Sequence, residues 1–314
     1  MSNSDWTNFA LYTDVMVKKM HKECDILKDQ NKEKYTKEDF SHFDALHYCG
    51  HDWLKEFFAQ QSKDALKCLE VGSGIGGGSR IAALDFGAEV VALDYLQGYS
   101  DVHNRINEMC GGIPSIKVET GDALEMDLDA LGCNGNCDIV FSIQVFYMIC
   151  DKRSLFAKLA NALKSGGKLY IEDWVLQTEE PMTEEEEIAA KQLGFLHRLT
   201  QNEYVELLES AGFRVDVYDD NTTHWGRYIY SRGEGFLQKE SQMKSNFGEE
   251  WWENWTSWAL FKATKAYHNL EMTYEEQSQK FPLLMERLGG REFYDKWSGV
   301  SQKFGGNKVI ATKL

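Results

Sequence analysis

From about Leu66 onward the chain alternates short apolar runs with segments of helical character. The runs read as strands near 66–71, 89–94, 115–119, 138–143 and 168–173. Between them, Arg80–Phe86, Asp101–Met109 and Arg153–Leu163 read as helices. Such alternation builds βαβ units around a parallel sheet. The glycines of Ser165-Gly166-Gly167 are expected to close the last of these helices, because glycine accepts a left-handed cap.

The flanks differ. Residues 1–60 read mostly as helix, with polar turns around Lys28–Lys37 and Cys49–Gly50. Thr183 opens a helix with Glu186 as its capping-box partner. The acidic run there complements the dipole of a first helical turn, a simpler reading than an interaction tail. Thr200 and Glu203 repeat the box before a helix ending at Gly212, and FRVDVYD then reads as a strand. NKVIATKL at the C-terminus is one more strand. Between these two strands, residues 221–305 hold most of the tryptophans. Trp251, Trp252, Trp255 and Trp258 fall mostly on one helical face, a pattern of core packing or a homodimer contact rather than a substrate cage.

Composition narrows the classes. Of 314 residues, 43% are hydrophobic and 13% aromatic, enough for a substantial core. Only 3 prolines occur and no low-complexity linker, so an ordered chain is expected. A formal charge of −16 argues against nucleic acid, whose phosphates need basic surfaces, and is compatible with a cationic or zwitterionic small-molecule substrate. The 7 cysteines contain no CxxC, and Cys133 and Cys137 have no second ligand pair, so no metal is expected. No signal peptide or membrane span is expected, and the reading is of a cytoplasmic protein.

The chemistry sits in KCLEVGSGIGGG, residues 67–78, and in VVALD, which ends at Asp94. A strand, a glycine-rich turn, a helix and a second strand closed by a carboxylate form a grip for a nucleoside-bearing cofactor. Gly72, Gly74 and Gly77 satisfy GxGxxG, and Asp94 follows Gly74 by 20 residues, as in a dinucleotide fingerprint. Three features favour S-adenosylmethionine over NAD. Glu70, at the strand end, suits a cofactor bearing an ammonium and a sulfonium and would repel a pyrophosphate. Gly121-Asp122-Ala123 places a carboxylate after the third strand, where it can accept from an adenine amino group. The strand–long insert–strand ending is not required by a nicotinamide domain. Asp94 would accept from both ribose hydroxyls.

These stretches resemble class I S-adenosylmethionine-dependent methyltransferases. EVGSGIGGGSR is similar to their motif I, and VVALD and GDA to the second and third motifs. Asp44-Ala45-Leu46-His47-Tyr48-Cys49-Gly50 resembles a D-x-x-H-Y-x-G segment of small-molecule members, as do SIQVFYMI and LKSGGKLYIEDW. Over about residues 40–220 the chain is similar in this respect to the sarcosine/dimethylglycine and phosphoethanolamine N-methyltransferases. The resemblance implies an α/β, Rossmann-like seven-stranded sheet with its last strand antiparallel, helices on both faces and a helical lid insert. The expected divisions are an N-terminal helical cap (1–60), the cofactor domain (61–220 and 306–314) and a substrate-binding lid (221–305). It also implies that Glu70, Gly72, Ser73, Gly74 and Gly76 surround the methionine half of the cofactor. Tyr95 and Leu96 would flank the adenine, Asp122 and Ala123 would read its edge, and Gln144 would touch cofactor and acceptor. In one respect the chain departs: phosphoethanolamine enzymes have a catalytic histidine where this chain has Tyr147-Met148-Ile149.

A protonated amine or a hydroxyl acceptor must lose a proton before methyl transfer, and a histidine suits that task. The candidates are His47 beside Tyr48, and His224. Arg227 and Tyr228 are candidates for a carboxylate, since arginine offers a two-pronged donor. Tyr48, Tyr147, Trp174 and Trp225 are candidates for lining a cationic acceptor's pocket, with ordinary core packing as the competing role of the two tryptophans. The expected function is N-methylation of an amino acid or related amine, followed by S-methylation of a small thioether or thiol acid, then a phosphoethanolamine-type acceptor. A NAD-dependent oxidoreductase and a non-catalytic scaffold of this fold are the alternatives outside the class.

Overall fold

The computed structural model describes residues 14–30, 32–44, 50–61, 66–266 and 270–314. It divides into two compact units, one drawn from residues 1–173, 202–218 and 308–314, the other from residues 174–201 and 219–307. In chain order the elements begin with α1 (Asp14–Asp29), α2 (Asp52–Ala59), β1 (Lys67–Val71), α3 (Gly77–Phe86), β2 (Glu89–Asp94) and α4 (Gln97–Met109). There follow β3 (Ile116–Thr120), β4 (Cys137–Ile143), α5 (Lys152–Ala162), β5 (Leu163–Leu176), α6 (Glu184–Gln192), α7 (Gln201–Ser210) and β6 (Phe213–Asp220). Six helices then precede the last strand: α8 (Thr222–Leu237), α9 (Glu240–Phe247), α10 (Glu249–Lys265), α11 (Tyr274–Lys280), α12 (Pro282–Arg287), α13 (Gly290–Ser301) and β7 (Phe304–Lys313).

The strands form one sheet in the order β3-β2-β1-β4-β5-β7-β6, with the last strand antiparallel. The order reverses direction beside β1, and parallel α/β sheets take ligands at the carboxyl ends of strands flanking such a switch point. In the register of β1, Leu69 lies opposite Val91 of β2 and Val140 of β4, and Val71 lies opposite Leu93. The turns after β1 and β2 therefore leave the sheet at the same level. Cys68, Leu69 and Val71 are buried, as are Val90–Leu93 and Ile139–Phe141, so the central strands are covered on both faces. That explains their apolar runs.

Several boundaries differ from expectation. Helix α5 is capped by Asp151, which accepts the Ser154 N–H at 2.9 Å, but it ends at Ala162 rather than at the glycines. Ser165-Gly166-Gly167 instead lies within β5, where the pairing moves from Cys137↔Leu163 to Ile139↔Lys168. The extra residues form a bulge, with Gly166 at φ 77°, a conformation glycine adopts without a Cβ clash. Secondly, α3 begins at Gly77 and α4 at Gln97, both ahead of the sequence reading, because the turn residues already adopt helical geometry. On the far side of the sheet, Lys168 of β5 donates to Asp216 of β6 at 2.9 Å and to Thr312 of β7 at 2.6 Å.

In the second unit, Thr183 and Glu186 form the expected capping box on α6, with contacts of 2.8 and 3.3 Å. Trp252 of α10 stacks on Phe236 of α8 with ring centres 4.7 Å apart, and Trp251 packs on Phe247 at 4.5 Å. Trp252 is fully buried, while Trp255 and Trp258 are half-buried. The tryptophan stripe is thus largely internal packing of this unit. Trp174 and Trp225 meet edge-to-face at 5.0 Å. Among the described residues, no helix is long and apolar enough to cross a membrane, and no group of three or more potential ligands is gathered for a metal ion.

Candidate active site

The glycine turn after β1 runs over the end of β2. The N–H groups of Gly72 and Ser73 both donate to the Leu93 carbonyl, at 2.8 and 3.0 Å, and Gly76 N–H donates to Ser73 at 2.9 Å. Gly72, Gly74 and Gly76 have φ of 74°, 53° and 87°, which L-residues rarely adopt. Gly72 is also pressed against the turn after β4: a Cβ there would lie 2.2 Å from Val145 Cγ2. The turn therefore exposes backbone where side chains would otherwise stand.

Asp94 closes β2 and organises what surrounds it. Its carboxylate accepts from Gly74 N–H at 2.7 Å and from Leu96 N–H at 2.9 Å. Its own carbonyl accepts from Gly121 N–H at 2.8 Å, bringing the turn after β3 to the same place. In that turn Asp122 accepts from Leu124 N–H at 2.8 Å, and Ala123 is buried. Tyr95 is exposed beside this turn, and Leu96 precedes α4 as its N-cap. Burial pushes the Asp94 carboxyl up to about 6, against the lowering effect of its backbone donors.

Glu70 is buried one strand away. Its carboxylate accepts from the Ser79 hydroxyl and backbone N–H, so it caps the first turn of α3 from beneath the glycine turn. Burial pushes it up to about 8; Ser79 and Arg80 oppose that rise, and Asp94 adds to it. By accepting from the first turn of α3, whose N–H groups have no partner within the helix, Glu70 serves the local fold as well as any bound cation. The sequence reading gave it only the second role.

Gln144 closes β4 with φ 57°, and its N–H donates to Glu172 at 2.7 Å. A non-glycine residue in this region is strained, and such strain concentrates at functional sites. Tyr147 is buried in the short helical turn Phe146–Met148 that follows. The structure thus gathers Glu70, Gly72, Ser73, Gly74, Gly76, Asp94, Asp122, Ala123 and Gln144 at the carboxyl ends of β1, β2, β3 and β4. His47 and Tyr48 lie outside the described residues. Their flanks, Asp44 and His51, both rest on Gly77, where a Cβ would meet the Asp44 carbonyl and the His51 ring at 2.8 Å each.

The remaining candidates belong to the second unit. Trp174 and Trp225 are buried, while His224 and Arg227 are exposed on α8. Tyr228 accepts from Arg232 at 3.0 Å, so the arginine held by this tyrosine is not the neighbouring Arg227. Sequence reasoning also missed Val145, Ser79, Arg80 and His103, which pack behind the glycine turn. Arg80 is legible only as the tail of GGGSR, and His103 carries no motif at all.

These residues fit S-adenosylmethionine. Left-handed glycines open the backbone to close approach, the Asp94 carboxylate keeps acceptor capacity beside its backbone donors Gly74, Tyr95 and Leu96, and Ser73 Oγ is buried without a hydrogen-bond partner among the described residues. Residues 62–212 match the profile of a methyltransferase domain family. They are a S-adenosylmethionine-dependent methyltransferase domain. The chain is 27% identical over 216 residues to the phosphoethanolamine N-methyltransferase of Plasmodium falciparum, covering 63% of this chain and 78% of that one. It is 30% identical over 236 residues to phosphoethanolamine N-methyltransferase 1 of Triticum aestivum, covering 69% of this chain but only 45% of the wheat protein. Phosphoethanolamine N-methyltransferase 2 of Haemonchus contortus, solved with phosphomonomethylethanolamine and S-adenosylhomocysteine, superposes with a TM-score of 0.69 at 17% identity. That match covers 100% of this chain and 60% of the nematode protein. The methyltransferase fold, expected from the motifs, is thereby established.

Proposed function

We propose that the whole chain transfers a methyl group from S-adenosylmethionine to the nitrogen of a small polar amine. The observation that carries this reading is the pair of buried carboxylates, Glu70 and Asp94, bracketing a turn of left-handed glycines. When bound, S-adenosylmethionine supplies a methyl group on a sulfonium, already activated toward displacement. The chain holds and orients it. Asp94 has lone pairs for ribose hydroxyls, the glycine turn admits the methionine half, and Asp122 and Ala123 border the adenine. Burial of Glu70 beneath the turn supports a cationic ligand there, because a low local dielectric strengthens its attraction.

For the acceptor, the names of the relatives put phosphoethanolamine and its methylated forms at the head of the list, ahead of sarcosine-type amino acids and thioether acids. A nitrogen acceptor must reach the methyl group unprotonated; His47 and His224 remain the candidates for taking the proton. We assign acceptor recognition to Tyr147, Trp174, Trp225, Arg227 and Tyr228. Incubating the protein with S-adenosylmethionine labelled in its methyl group and with these acceptors, then resolving products by mass, tests the proposal. A labelled amine supports it. Donor binding without any labelled product from the panel overturns the assigned acceptor class.

A further inference from the structure

We propose that His103 is a positioning residue for the methyl donor: its ring, wedged against Gly76, holds the glycine turn in the shape that receives the methionine half. This rests on the donor reading above. Gly76 is the N-cap of α3, and a Cβ on it would lie 2.1 Å from His103 Nε2, 2.2 Å from Cδ2 and 2.5 Å from Cε1. The imidazole edge occupies the place where any other residue at 76 would carry its side chain. His103 comes from α4, the helix that begins directly after Asp94-Tyr95-Leu96. One helix therefore starts at the ribose end of the site and wedges the turn at its other end.

The wedge is braced. Arg80, fully buried at the end of the first turn of α3, donates to Asn107 of α4 at 3.3 Å and to Asp44 at 3.4 Å. Asn107 lies one helical turn beyond His103, so Arg80 ties α3 to the stretch of α4 that carries the ring. His103 is wholly buried, and neither ring nitrogen has a hydrogen-bond partner among the described residues. A buried polar group without a partner is costly. The role is therefore assigned to the flat shape of the ring, packed on Gly76, and not to a hydrogen bond. Burial and the adjacent Arg80 charge hold its basicity well below the ordinary range, keeping it neutral.

The test compares wild type, His103→Ala and His103→Phe by calorimetric binding of S-adenosylmethionine and S-adenosylhomocysteine, and by amide exchange of residues 72–80 in the ligand-free protein. His103→Ala is expected to weaken donor binding by about tenfold or more, on the scale of small misplacements in binding sites. It should raise the donor KM at unchanged kcat and speed exchange at Gly76. His103→Phe, which keeps a flat ring, should bind within about threefold of wild type, a difference below the 1.4 kcal/mol that tenfold represents. His103→Leu replaces the alanine variant if that one does not fold, with the same expectation. A folded alanine or leucine variant that loses thermal stability yet binds the donor normally overturns the proposal. So does a phenylalanine variant as weak as alanine, which would assign the role to the ring nitrogens. Wild-type protein that binds neither ligand overturns the donor reading itself, and His103's role with it.

Discussion

Asp94 and Gly74 stand 20 residues apart, yet the Gly74 N–H reaches an Asp94 carboxylate oxygen at 2.7 Å. The acidic end of β2 is thus an internal anchor for the glycine turn, and in the function proposed above it also holds the donor. Asp94→Ala should weaken S-adenosylmethionine binding by about 1–3 kcal/mol, the usual loss when hydrogen bonds to a charged acceptor are removed. It should also speed amide exchange at Gly74 and Leu96, which both lose an acceptor. Asp94→Asn keeps one carbonyl oxygen and should fall between. Calorimetry on folded variants decides it, and an affinity unchanged in Asp94→Ala would remove Asp94 from the donor site.

Gly72 offers a sharper steric test. Its φ of 74° and the 2.2 Å approach of Val145 Cγ2 to a would-be Cβ give two separate penalties. Gly72→Ala should destabilise by about 2–4 kcal/mol, combining left-handed strain with overpacking. Only the second penalty can be relieved by shortening the neighbour. Adding Val145→Ala should therefore restore about 1 kcal/mol or more, read as a favourable coupling in a double-mutant cycle. Strict additivity of the two substitutions would mean that the turn after β4 does not bear on Gly72.

Much of this fold was legible because buried parallel strands write themselves as continuous apolar runs. β2 lies at 89–94, as read from EVVALD, and β4 differs by one residue from its expected span. The glycine turn was legible for a different reason: close backbone approach and positive φ exclude most residues. The Ser165-Gly166-Gly167 bulge was misread because glycine serves a helix end and a β-bulge equally, and only the partner strand decides between them. His103 was invisible because its significance is the missing side chain of Gly76, 27 residues earlier. Nor does composition reveal that Glu70 faces Ser79, since motif spacing places a carboxylate at a strand end without saying where it points.

At the opposite edge of the sheet, Asp216 joins β6 to Lys168 of β5 and Thr312 of β7. Burial would raise its pKa, but hydrogen bonds from Thr312, Lys168 and Arg214 outweigh that and hold it at about 2, against an ordinary 3.8. Below 3.8 the unfolded chain takes up a proton that the native carboxylate refuses. This stabilisation is therefore complete above about pH 4 and is lost as pH falls through 2. Asp216→Asn should cost about 1–2 kcal/mol at pH 7 and much less near pH 2, as measured by denaturant titration. A deficit equal at both pH values would rule out the charge as its cause.

Glu70 and Asp94 work in the reverse sense. Their native carboxyls are raised to about 8 and about 6, from ordinary values of 4.5 and 3.8. Across those intervals the native protein keeps protons that the unfolded chain has released, so rising pH destabilises the ligand-free protein. Wild type should lose stability relative to Glu70→Gln by about 1–3 kcal/mol between pH 5 and pH 8, since each pKa unit corresponds to about 1.4 kcal/mol. A cationic donor favours the ionised carboxylates, so its affinity should rise over the same range and binding should release protons. Calorimetry in two buffers of different ionisation enthalpy measures that release directly. Glu70→Gln should flatten the pH dependence above about 6, leaving the contribution of Asp94 below it. Proton uptake on binding, or a profile that Glu70→Gln does not alter, would show that Glu70 only caps α3 and does not sense the charge of the donor.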